Sequence, residues 1–174
     1  IIISSCLGVV WVGLIGTYKM IVNSVSGYVN LIFNSVISSF GNLIATESRE
    51  KQFQLFLVYR FFAIWIYGFS AVGFFLLLSP LVELYVGADR VLATSIIAWY
   101  LTDYFFKGER VVLSNFKTAA GVFEQDKYLS ILQGIVNLVL SIALVFKIGL
   151  AGVFIGTVVS GLIANITNCL LYTS

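Results

Sequence analysis

Long apolar runs separated by short charged clusters set the pattern of this chain. The first run extends over about 9–45 and meets the cluster Glu47, Arg49, Glu50 and Lys51. A second covers about 53–79 and stops at Pro80, the only proline, ahead of Glu83, Asp89 and Arg90. A third covers about 91–117 and a fourth about 128–146. A tight Lys147, Ile148, Gly149 turn then opens a fifth at about 150–168. A helix needs roughly 20 apolar residues to cross the hydrocarbon core, so each run predicts a span. The fold expected is all-α, a polytopic transmembrane helical bundle of about five spans. Ten-residue stretches alternating apolar with polar, the mark of an outer-membrane barrel, are missing. The first run is too long for one straight crossing and must tilt, kink or leave the membrane.

Composition sharpens this reading. Sixty per cent of the 174 residues are apolar and 10% are charged, and the mean hydropathy is +1.02. A soluble domain carries about 25% charged residues to cover its wet surface. The lipid bilayer is therefore the expected surroundings. Two cysteines, Cys6 and Cys169, do not make a disulfide scaffold. The net charge of +2 points to no nucleic-acid partner. The chain starts without Met, inside an apolar stretch, so residues 1–8 are expected to be the end of a preceding helix or loop. The last six residues, CLLYTS at 169–174, are expected to be a non-native tail.

The loop cations alternate. Arg49 and Lys51, with Arg60 close behind, fill one loop, and Lys107, Arg110, Lys117 and Lys127 surround another. The remaining two loops hold Arg90 and Lys147. Lys and Arg concentrate in cytoplasmic loops, so the ends near Arg49 and Lys117 are expected inside and those near Asp89 and Lys147 outside.

Polar residues within the runs line up at helical spacing. Lys19, Asn23, Ser26, Asn30, Asn34, Ser38 and Gly41 form one stripe. Asp103, Lys107, Arg110, Ser114, Lys117 and Gly121 form another. A charge at mid-depth costs on the order of 2.5–3.5 kcal/mol, so such stripes must face protein or water. The cavity residues expected are Lys19, Asn23, Asn30, Asn34, Asp103, Lys107 and Arg110, with Trp99 and Tyr100 one turn earlier. Simpler roles compete: Lys107, Arg110, Lys117 and Arg60 can snorkel to headgroups, Asp103 and Lys107 can pair internally at i and i+4, and the Asn residues can join helices. The last two runs read as packing helices, with Ser130, Gly134, Asn137 and Ser141 on one face and Gly152, Gly156, Ser160, Ala164 and Asn168 on another. There is no His, no Asp-x-Asp pair and no Cys cluster, so no enzyme activity, metal or cofactor is expected.

Four phrases carry a resemblance to a known family: VGLIGTYKMIVNSV at Val12–Val25, SSFGNLIA at Ser38–Ala45, AAGVFEQDKY at Ala119–Tyr128, and NLVLSIALVFKIGLAGVFIGTVVS at Asn137–Ser160. In this order and spacing they resemble bacterial O-antigen and capsule repeat-unit flippases of the multidrug, oligosaccharidyl-lipid and polysaccharide exporter superfamily. The resemblance spans nearly all of 8–168. It implies two six-helix bundles around a central cavity, with this chain supplying most of the second bundle and the first as its missing partner. It also implies a multi-pass protein of the bacterial cytoplasmic (inner) membrane. The cargo would be an undecaprenyl-diphosphate-linked oligosaccharide, moved to the external leaflet by alternating access. Lys19 falls where relatives often place a basic residue, whereas Ile15 and Thr17 replace the Tyr and Asn many relatives have. Cationic side chains would meet the diphosphate, and Asn and aromatic side chains would meet the sugars. The competing expectation is a cation-coupled multidrug exporter of the same superfamily, with Asp103 as an ion relay.

Overall fold

The computed structural model describes residues 9–87, 91–120 and 124–173, with side-chain surroundings for 10–87, 91–120 and 130–163. Residues 1–8, Asp89, Arg90, Gly121, the side chains of Lys127, Ala164 and Asn168, and the side chains of the 169–174 tail expected to be non-native lie outside that description. The order is α1 (Val9–Asn34), α2 (Ile37–Thr46), α3 (Arg49–Val86), α4 (Thr94–Ala120), α5 (Glu124–Ile148) and α6 (Leu150–Thr173). The described residues contain no strand, so the fold is all-helical.

Three stretches are long and apolar enough to cross a membrane: Val10–Thr46, Arg49–Val86 and Ser130–Ile148. Within α6, the stretch Leu150–Ile163 is also an apolar helix among the described residues. Over 27 residues α4 has the length, but Asp103, Lys107, Glu109, Arg110 and Lys117 interrupt its apolar character. It is also the hub, packed against α1, α2, α3 and α6. A helix surrounded by protein can carry charge that a lipid-facing helix cannot.

The overlong first run breaks at residues 35–36, between α1 and α2. Ser35 helps, because its hydroxyl donates to the Ile32 carbonyl at 2.7 Å and competes with the backbone ladder. The second run differs from its expected end. Helix α3 continues through Pro80 to Val86 and stops at Gly87, whose φ of 101° few other residues adopt. At 38 residues and 1.5 Å per residue, α3 measures about 57 Å, more than a bilayer core of about 30 Å requires. Its outer surface exposes Phe61, Trp65, Phe69, Val72 and Leu76.

Helices α5 and α6 form a hairpin that turns at Gly149, with φ 66°. A Cβ on Gly152 would strike the Leu144 backbone, and one on Gly156 would sit 2.9 Å from Ser141. Asn137 donates to the Ser160 hydroxyl at 3.0 Å across the same seam. The small-residue faces thus permit close backbone approach at Gly152, Gly156 and Ser160. Gly134 meets only open space.

Helices α1 and α4 run parallel. At one end the Leu92 N–H donates to the Tyr18 hydroxyl at 3.1 Å, and at the other Asn115 donates to Asn34 at 3.1 Å. Aromatic rings fill the seam with α3: Phe33 stacks on Tyr67 at 5.4 Å, and Phe40 meets Tyr59 edge-on at 4.8 Å. Gly108 makes room for the Tyr67 ring, which any Cβ there would strike.

A cationic cleft between α1, α4 and α5

A cleft of about 370 Å³ opens between the C-terminal half of α1, the second half of α4 and the start of α5. Helix α1 contributes Asn30 and Asn34. Helix α4 contributes Lys107, Arg110, Ser114, Asn115 and Lys117, and α5 contributes Ser130 and Gln133. No acidic side chain is among these lining residues.

Four of the seven residues expected in a cavity line this cleft: Asn30, Asn34, Lys107 and Arg110. Asp103 lies beside it, 4% exposed, with its Oδ2 accepting from Lys107 Nζ at 2.6 Å. Lys19 and Asn23 are exposed and do not line it. Lys19 precedes Asn30 by eleven residues, about 16 Å of helix. Its Cα–Cβ bond leans toward the N-terminus of α1, away from the cleft. Tyr18, one residue earlier, reaches the segment that enters α4, so Lys19 stands at the level of the opposite end of the bundle.

The α1 wall of the cleft is anchored by an inter-helix hydrogen-bond node. A helix break leaves carbonyls without their helical donors. Here the Phe33 carbonyl accepts from the Tyr59 hydroxyl at 2.7 Å and from Asn115 Nδ2 at 3.2 Å. Asn115 also donates to the Tyr59 oxygen at 3.2 Å. The Tyr67 hydroxyl donates to Asn30 Oδ1, which turns the Asn30 amide nitrogen toward other partners. Three helices therefore hold two amide side chains at the cleft wall.

The cations differ in how they are held. Arg110 lies against Gly161 of α6, where a Cβ would collide with its guanidinium, and its Nε is buried with no hydrogen-bond partner among the described residues. Lys117 is buried. Lys107 is paired to Asp103 but keeps 59% of its side chain exposed. Arg60 pairs with Glu109 at 3.5 Å, a partner that the snorkelling expectation for Arg60 did not include.

Periodicity did not single out Asn115 or Gln133. Asn115 is offset from the charged stripe of α4 and lies 6% exposed, so a count along one helix reads it as core. Its value comes from a carbonyl that the break in α1 frees. Gln133 lies one turn beyond Ser130 on a helix read as packing, and only the position of α5 across the cleft brings the two in. No group of His, Cys, Asp and Glu suited to hold a metal occurs among the described residues.

No family model, curated protein or solved structure matches the chain.

Proposed function

We propose that the chain supplies about five spans of a larger multi-pass carrier of the bacterial cytoplasmic membrane that flips undecaprenyl-diphosphate-linked oligosaccharide from the cytoplasmic to the external leaflet. The observation that carries this reading is the make-up of the cleft. Lys107, Arg110 and Lys117 gather there with amide and hydroxyl groups, and no carboxylate lines it among the described residues. A lipid diphosphate carries about two negative charges, and a site that strips its water must return charge-assisted hydrogen bonds. The amides of Asn30, Asn34 and Gln133 suit sugar hydroxyls. The phrases that resemble repeat-unit flippases add the carrier class, alternating access, and a first bundle that would face the exposed Lys19 and Asn23.

The span count and orientation follow from the same features. Helices α4 and α6 complete the five, α4 because its charges are turned into the cleft and toward its neighbours. The cleft lies toward the ends of α1 and α4 whose flanking segments hold Arg49, Lys51, Lys117 and Lys127, the cytoplasmic side by the cation rule. A cleft there receives cargo made in the cytoplasm. The alternative, a multidrug exporter for cations, would place a carboxylate on the cavity wall, but Asp103 is buried and already neutralised by Lys107.

The test uses the full-length carrier in cells. Arg110→Ala and Lys117→Ala are each expected to lower surface polysaccharide at least about tenfold, the loss of one charge-assisted contact of about 1.5–3 kcal/mol, with the protein still present in the membrane. Normal export in both variants would remove the proposed diphosphate role. Loss of cationic-drug efflux with intact polysaccharide would favour the exporter.

A further inference from the structure

Asp103 and Lys107 form a pair whose two members live in different surroundings. The Asp103 side chain is 5% exposed, whereas that of Lys107 is 59% exposed and reaches the cleft. The only hydrogen bond that Asp103 makes in the described structure comes from Lys107 Nζ, at 2.6 Å. Helix α6 covers this stretch of α4, because Tyr100 meets Phe154 at 5.6 Å and Arg110 abuts Gly161, on either side of Asp103. A carboxylate can stay ionised in such a place only while a cation accompanies it.

Other groups able to compensate Asp103 are few. Helices α2 and α6 contain no Asp, Glu, Lys or Arg. On α1 the one cation is Lys19, outside the cleft. On α3, Arg60 is held by Glu109, the Tyr67 hydroxyl donates to Asn30, and Arg49, Glu50, Lys51 and Glu83 lie near the helix ends. Across the cleft, α5 contributes Ser130 and Gln133 to the lining. Helix α4 itself adds Tyr100, Tyr104 and Arg110. Among the described residues, Arg110 and Lys107 are therefore the cations that Asp103 and an anion in the cleft would share.

We infer that anion binding in the cleft is coupled to proton uptake at Asp103, with Lys107 as the shuttle between them. An entering phosphate oxygen takes the Lys107 ammonium, which keeps its three protons and exchanges a carboxylate acceptor for a phosphate acceptor. The vacated Asp103 then takes one proton from water and forms a neutral O–H. One proton thus enters with each headgroup, and the buried carboxylate is never left alone. This coupling rests on the proposed diphosphate reading of the cleft and makes loading tighter as the pH on the loading side falls.

The experiment is a binding titration of the full-length carrier in lipid nanodiscs with a water-soluble dialkyl diphosphate, whose charge stays constant from about pH 5 to about pH 8. Uptake of one proton per anion makes Kd rise by up to about tenfold per pH unit. Asp103→Asn is expected to flatten that profile and, by releasing Lys107, to bind more tightly than the wild type at the alkaline end. Lys107→Gln is expected to bind weakly at every pH, also with a flat profile, and it serves if the first variant fails to fold. A pH-independent Kd in the wild type, or an unchanged slope in Asp103→Asn, would overturn the coupling alone. Absence of diphosphate binding at every pH would overturn the cargo and the coupling together.

Discussion

Asn115 does two jobs that a buried apolar residue could not. It donates to the Phe33 carbonyl that the break in α1 frees, and it holds the Asn34 amide at the cleft wall. Replacing it leaves a buried acceptor with Tyr59 alone, and an underpaired buried polar group costs about 1–3 kcal/mol. Asn115→Leu is therefore expected to lower the Tm of the purified protein, and by more than Tyr59→Phe, which leaves Asn115 on the same carbonyl and removes one ordinary hydrogen bond of about 0.5–1.5 kcal/mol. The opposite order in a thermal scan would mean that the node does not secure the break. The contrast between Lys19 and Arg110 also belongs at this scale. Both sit on polar stripes read from spacing alone, yet one is exposed toward one end of the bundle and the other lies against Gly161 in the cleft.

At the scale of elements, α4 and the α5–α6 hairpin divide the work. Helix α4 carries the charge and is covered by neighbours on several sides, whereas the hairpin depends on small residues that let its two backbones meet. Glycine position decides the effect of a larger side chain. Gly156→Leu would drive into Ser141 and is expected to destabilise the fold by about 1–3 kcal/mol, while Gly134→Leu, which meets open space, is expected to leave Tm nearly unchanged. Equal Tm losses in the two variants would show that the close contact at Gly156 does not limit packing. The existence of the long helices was legible in the apolar runs, and so was the need for the first to bend. The site of the bend was not legible, because it depends on Tyr59 and Asn115 reaching across from other helices. Nor was the passage of α3 through Pro80, since a proline ends a helix in water but is tolerated where neighbouring helices support the backbone.

For the whole molecule, one wall of the bundle is apolar and another is polar and cationic. Phe69, 82% exposed, and its neighbours on α3 form a broad apolar surface suited to lipid tails. The cleft is lined by α1, α4 and α5 and by no residue of α3. Cysteines placed singly at Ser114 and Gln133 in the full-length protein are expected to react with a water-soluble maleimide applied from the side proposed as cytoplasmic, and cysteines at Phe69 and Leu76 are expected to be protected. Protection at Ser114 and Gln133 would mean that the cleft is a dry helix contact and would remove the aqueous path the proposed carrier needs.

The sequence by itself determined the class of the molecule. Apolar runs of spanning length, few charges and stripes of polar residues at helical spacing leave little besides an all-helical chain suited to a membrane, because such runs satisfy their backbone in lipid only as helices. It also marked the residues that needed shelter from lipid. It did not determine which of them shelter together. Helical periodicity reports the angle of a side chain around its own axis and says nothing of the height at which two helices cross. Tertiary packing chose the lower half of the α1 stripe, joined it to α4 and α5, left Lys19 and Asn23 outside, and brought in Asn115 through a carbonyl that exists as an acceptor only because α1 breaks.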